Sequence, residues 1–189
     1  MKTNPVLKVT IFKVLFLLFI ICVPSCTKNN LIESTLKKNE TFAKNEEEET
    51  IAFFLIETAN IGKTIISKSQ IAQQKSSENS IVILGKKIEG HQNQLLQEIT
   101  ELANKKLIII SEINATHRRD TYELVTANPS NFDRVYLNSM KEYLEQQIKL
   151  LETVSNETND KIILELVLKY LPEQFDLLRE TERIIKENI

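Results

Sequence analysis

The stretch from Phe132 to Val154, FDRVYLNSMKEYLEQQIKLLETV, constrains the fold of this chain more than any other. Its apolar residues fall at Phe132, Val135, Tyr136, Met140, Tyr143, Leu144, Ile148, Leu151 and Val154. Steps of three and four repeat along it, which lays one continuous apolar stripe down a helix of about six turns. A helix with a single such stripe needs partners to bury it, and the chain offers three more segments of similar length.

Three Gly, four Pro and no Trp in 189 residues suit an all-helical protein and count against sandwiches or barrels, which need many turns. The first long helix is expected to start at Asn45 as cap. Glu46 to Glu49 follow in the first turn, where carboxylates complement the positive end of the helix dipole. It runs to about Lys75, with Ile51, Phe54, Leu55, Thr58, Ile61, Ile65, Ser69 and Ala72 inward, and Gly62 placed for close approach of a neighbour. Ser76 to Asn79 breaks the pattern. The second helix, Ser80 to about Lys105, presents Leu84, Ile88, His91, Leu95, Ile99 and Leu102, so His91 sits on the apolar face.

Lys106 to Ser111 (KLIIIS) reads as an extended crossover packed on the bundle, followed by a shorter helix from about Ala115 to Thr126. Asn128-Pro129-Ser130 is a turn, and Ser130 and Asp133 have the spacing of a capping box for the Phe132–Val154 helix. Ser155 to Asn159 ends that helix. The last one, Asp160 to about Lys186, contains Pro172 and turns Ile163, Leu166, Val167, Tyr170, Leu171, Leu178 and Ile185 inward. Four long helices, with one long connection holding a short extra helix, predict an all-α, ferritin-like four-helix bundle.

Lys2, Lys8 and Lys13 lead into a ten-residue apolar run, Val14 to Val23, followed by Pro24-Ser25-Cys26. A membrane span needs about 20 residues, so the run has the form of a signal-peptide core. Its end resembles the lipobox of bacterial lipoproteins. That resemblance implies cleavage between Ser25 and Cys26 and lipidation of Cys26. With Thr27 rather than Asp next, the outer membrane is the expected site. Residues 1–25 are then a lipoprotein signal peptide, 26–45 a flexible polar tether, and 46–189 the bundle domain. Cys22 leaves with the leader and Cys26 is acylated, so the mature chain has no intramolecular disulfide. Losing the three leader lysines takes the net charge from -2 to -5. No basic cluster with interleaved aromatics occurs, which argues against nucleic acid. The expected partners are a membrane, through the lipid, and another envelope protein.

AQQKS (Ala72 to Ser76), LGKKIEGH (Leu84 to His91), FDRVYLNSM (Phe132 to Met140) and Leu171-Pro172 before an amphipathic end follow one another in order. Together they resemble the bacterial family called domain of unknown function 4142, over roughly Ile51 to Ile185. The resemblance implies a ferritin-like bundle exported to the cell envelope, with no established activity. The family pattern favours an acidic residue on the first helix and His on three others. His91 matches the second-helix His, whereas Ile65, Tyr143 and Leu177 stand near the remaining three positions.

A di-iron bundle needs Glu from two helices and Glu-x-x-His from the other two, because carboxylates bridge the irons. Ile88 precedes His91 at that spacing and Asn114 precedes His117, so no metal or other cofactor is expected. There is no nucleophile elbow, phosphate-cradling Gly loop, HExxH or available thiol, hence no catalytic residue to name and no enzyme expected. Tyr143 and Tyr170 are expected to bring hydroxyls near His91, and Glu57, Glu89 and Glu98 to lie on polar faces. The expectation is a non-enzymatic, lipid-anchored envelope protein that binds another envelope component or serves envelope maintenance. The alternative is a metal-binding or redox protein using His91.

Overall fold

The computed structural model describes residues 46–110 and 115–188, all within one compact unit of the chain. Five helices occur among them: α1 (Glu46–Lys75), α2 (Asn79–Lys105), α3 (Ala115–Thr126), α4 (Phe132–Glu157) and α5 (Lys161–Asn188). Short links at 76–78 and 158–160 fold α1 back on α2 and α4 back on α5. Contacts across the other two seams fix their direction. Between α1 and α4, Lys68 meets Ser139 and Ser69 meets Tyr136, while Glu47 meets Thr158 just past α4. Between α2 and α5, Lys87 meets Glu180, His91 meets Glu173 and Glu98 meets Lys169. In each pair one number rises as the other falls, so both pairs are antiparallel.

The bundle therefore runs up, down, down, up, with α1 diagonal to α5 and α2 diagonal to α4. α2 ends at the opposite end from where α4 begins. The connection must travel the length of the bundle, and α3 is the part of it that packs on α1 and α4. This is the ferritin-like bundle with a long crossover that the sequence predicts.

Local chemistry sets several ends. Asp160 Oδ1 accepts the N–H groups of Ile162 (2.9 Å) and Ile163 (3.3 Å) and so caps α5. Glu47 accepts from the Asn159 N–H (2.6 Å) and Thr158 Oγ1 (2.8 Å), and these bonds, the amide first, hold its carboxyl below the usual range. After α2, Ile108 N–H bonds the Ala103 carbonyl and Leu107 N–H the Asn104 carbonyl, a Schellman closure with Leu107 at φ 59. The expected capping box does not form. Ser130 Oγ bonds Asn128 Oδ1 instead, and α4 is preceded by Asn131 without a side-chain cap. α4 also continues past Val154 to Glu157, because Ser155 and Asn156 bond back to the Glu152 carbonyl rather than breaking the helix. α5 is continuous through Pro172.

Two apolar clusters fill the interior. One gathers Phe54, Leu55, Ile99, Leu151, Val154 and Tyr170 towards the end where α1 and α5 begin. The other gathers Ile65, Ile88, Tyr136, Met140, Leu144 and Leu177 towards the opposite end. Inward positions follow most of the expected stripes, with Ile61, Tyr143 and Leu171 only partly buried. Val135 is exposed, and late in α5 it is Leu177 and Ile184, not Leu178 and Ile185, that are fully buried. The α5 seam follows positions 170, 174, 177, 181 and 184, and the polarity of Gln174 and Thr181 masks it.

Close helix approach falls at Gly85, where a Cβ would meet the Ser69 carbonyl at 3.3 Å. Gly62, expected in that role, faces the amide side chains of Gln92 and Gln147. Gly90 faces open space. Gly90→Ala is therefore expected to stabilise by about 0.5–1 kcal/mol through helix propensity. Gly85→Ala is expected to destabilise by about 1 kcal/mol, because a backbone carbonyl cannot step aside. Urea unfolding of the two variants checks this; a gain for both would show that the α1–α2 contact is not limiting.

Candidate functional site

Between the apolar clusters lies a polar layer. Gln92 of α2, Gln147 of α4 and Gln174 of α5 are each completely buried. Gln92 Nε2 donates across the bundle diagonal to Gln147 Oε1 at 2.7 Å, and Gln174 Nε2 donates to the same oxygen at 2.5 Å. α1 contributes Thr58, also buried, and Gly62, whose missing side chain leaves room for the amides. A Cβ there would lie 3.4 Å from Gln92 Oε1 and 3.9 Å from Gln147 Nε2. Each glutamine occupies a seam position of its helix, where an apolar residue would complete the stripe.

The layer is only partly satisfied. Thr58 Oγ1, Gln92 Oε1, Gln147 Nε2 and Gln174 Oε1 make no hydrogen bond within the described protein. Each such buried atom costs about 1–3 kcal/mol. A ferritin-like bundle implies a di-iron centre at such a layer, with carboxylates to offset the metal charge. Here the donors are neutral amides and a hydroxyl, and among the described residues no three His, Cys, Asp or Glu converge. This donor set does not fit di-iron.

Beside the layer, at the α2–α5 seam, His91 is 9% exposed and meets the Tyr170 ring edge-on at 5.4 Å between centroids. Nε2 lies 3.0 Å from Glu173 Oε2 without the alignment of a hydrogen bond, and Nδ1 has no partner. Burial pushes the imidazole below its usual range. Glu173 pulls the other way but is 61% exposed, so water screens its attraction and burial wins. His91 is therefore neutral at pH 7.

The expected tyrosine hydroxyls do not reach it. Tyr170 donates to Glu98 Oε1 at 2.8 Å, while the Tyr143 ring lies under Lys68 Nζ, 5.0 Å from its centroid. Lys169, 2.5 Å from Glu98, is the first cause of that carboxyl's lowered pKa. Burial, then Glu98, pushes the Tyr170 hydroxyl up to about 12. Lys68 is itself buried, its Nζ 2.5 Å from Ser139 Oγ.

The positions singled out in the sequence do not assemble into one site. Ile65 and Leu177 are buried in the second apolar cluster and Tyr143 packs against it, away from His91. Glu89 accepts from Gln70 (2.7 Å) and Gln73 (2.6 Å) and ties α1 to α2. Glu57 bonds Asn60, and burial raises its carboxyl. Ser25 and Cys26 lie outside the described residues, as does the His117 side chain. No described helix is long and apolar enough to cross a membrane. The glutamine layer was not foreseen, because Gln is commonplace on exposed helix faces. The usable signal is a polar residue at 92, 147 or 174, one step along the stripe from Ile88, Leu144 and Tyr170.

A family model described as "Domain of unknown function (DUF4142)" matches residues 37–184. No curated protein matches the chain. Among solved structures, the crystal structure of a DUF305 fragment from Deinococcus radiodurans aligns with a TM-score of 0.64 at 12% identity, covering 73% of this chain and 96% of that one. At that identity the likeness is one of fold.

Gln147→Leu is expected to strand the Gln92 and Gln174 amides and to cost about 2–3 kcal/mol in urea unfolding. Changing Gln92, Gln147 and Gln174 together to Leu should be neutral or stabilising, because no amide is then left alone. For His91, the folded pKa lies below the ordinary 6.5, so the unfolded chain binds the proton more readily. Its contribution is complete above that value and is lost as pH falls towards the folded pKa. The stability difference between wild type and His91→Asn should shrink from about pH 7.5 to about pH 5. Glu57, raised by burial, acts in the opposite sense but cancels in that difference. A constant difference would place His91 in contact with solvent.

Proposed function

The chain belongs to the family described as domain of unknown function 4142, and we propose that it is a non-enzymatic binding protein held at the bacterial cell envelope by a lipid on Cys26. The observation that carries the non-enzymatic reading is the bundle's middle. Its buried donors are neutral amides, and its one imidazole is held uncharged against Tyr170. Neutral amides hold a multivalent ion only weakly and supply no nucleophile, and a single imidazole is one ligand where a tightly held zinc takes four.

The anchor reading is supported by the leader, whose ten-residue apolar run ends at Ser25-Cys26. Each buried methylene of an acyl chain adds about 0.8 kcal/mol to attachment, so several chains together hold a protein almost permanently. Thr27 after the cysteine favours the outer membrane, and the helix faces are offered to another envelope protein. The alternative, metal binding or redox chemistry through His91, has the 3.0 Å approach of Glu173 in its favour. That supplies two donors where a tightly held zinc takes four.

Metabolic labelling with palmitate tests the anchor: wild type should carry label and sediment with membranes, and Cys26→Ser should do neither. Metal analysis of the purified protein tests the rest. Stoichiometric iron or zinc that survives dialysis and vanishes in His91→Ala would establish the alternative in place of the binding role.

A further inference from the structure

Leu107 bears two local costs that the bundle does not offset. It occupies the position after the end of α2 at φ 59, the left-handed conformation that glycine or asparagine normally supplies. For a residue with a Cβ that conformation is strained. Its side chain is then 69% exposed, so no burial repays it. Ile109 is also exposed, at 55%, whereas Ile108 and Ile110 pack against the first apolar cluster. The segment thus alternates outward and inward, with the inward pair packed on the bundle.

Ile162, 54% exposed, opens α5 at the same end, joined to the close of α2 by the Lys106–Asp160 pair at 2.6 Å. Lys105 and Lys161 are sequence neighbours of these apolar tips. α1 also begins at this end, as its Glu47 bonds to Thr158 and Asn159 require. The chain leading back to Cys26 therefore joins the bundle here.

We propose that Leu107, Ile109 and Ile162 form a corner that sinks shallowly into the surface of a lipid bilayer, with Lys105 and Lys161 at the level of anionic headgroups. Exposed apolar tips with lysines beside them match the chemistry of that interface, and Glu101 and Glu165 stand one turn further back on the same two helices. Glu46 to Glu49 occupy the same end on α1 and are repelled by anionic lipid. The contact is therefore made by the α2–α5 corner and leaves the bundle tilted. The inference rests on the lipid anchor at Cys26, which keeps the bundle close to a membrane; the corner then fixes the orientation.

The chain contains no tryptophan, so one introduced residue reports without background. Full-length lipidated protein carrying L107W, I162W or, as a control on exposed α3 surface near the far end, Y122W is reconstituted on phosphatidylethanolamine–phosphatidylglycerol vesicles with or without brominated acyl chains. All three should float with the vesicles. L107W and I162W should emit at shorter wavelength and be quenched by bromine at least roughly two-fold more than Y122W. Adding Lys105→Glu and Lys161→Glu should reduce that quenching. I162W sits on a regular helix, so the result does not hang on the left-handed residue. Protein that floats with L107W and I162W unquenched would overturn the proposal and leave the anchor standing. A blue shift without bromine quenching would also overturn it, since protein, not lipid, then covers the corner. Failure to float, with no palmitate on Cys26, would sink the anchor reading and this inference together.

Discussion

Apolar burial holds the four long helices together, but burial alone has little preference for one register over another. Leucine and isoleucine seams can slide by a turn and still find apolar neighbours. The Gln147 side-chain oxygen cannot. It accepts from Gln92 across the diagonal and from Gln174 on the adjacent helix, and both bonds exist only when α2, α4 and α5 stand at one relative height. The rest of the interior is arranged around that constraint, with one apolar cluster on each side of the amides and Gly62 leaving them room. The orphaned amide atoms are the cost of this directional lock.

The four helix–helix seams are not alike. α1 packs most extensively on α2, with Gly85 against a backbone carbonyl, whereas α2 and α5 touch least of the adjacent pairs. Polar pairs line that thin seam: Lys87–Glu180, His91–Glu173, Lys169–Glu98 and Lys106–Asp160. Exposed pairs of this kind contribute little each. A groove of about 590 Å³ opens between the two helices, bordered by Glu98, Glu101, Lys105, Glu165 and Lys169. The seam carries both the neutral His91 and the exposed apolar corner.

A ferritin-like bundle does not carry ferritin-like chemistry with it, because function resides in the side chains placed on a fold. In this chain amides occupy the middle of the bundle, and buried Ile65 and Leu177 stand near two of the positions where the sequence resemblance implies an acidic residue or a histidine. Tyr143, near a third, offers its ring face to a buried lysine. His91 is the one match, and it lies beside the amide layer, at the seam. The DUF305 neighbour, alike in fold at 12% identity, leaves that conclusion where the residues put it.

Element type, helix count and most of the inward positions were legible from apolar spacing alone, because steps of three and four specify a buried face whatever lies opposite. The end of α4, the late seam of α5 and the capping of α4 were not. Each depended on polar side chains whose partners lie elsewhere in the chain or compete locally: Ser155, Gln174, Asn128. The amide layer and the Leu107 corner required the tertiary structure for the same reason. A glutamine in a seam is indistinguishable from a surface glutamine until the helix opposite supplies its acceptor. Nor does an isoleucine in KLIIIS declare which way it faces until the backbone turns at Leu107. Spacing determines which face of a helix is buried; only the assembled bundle decides which polar and apolar groups meet there.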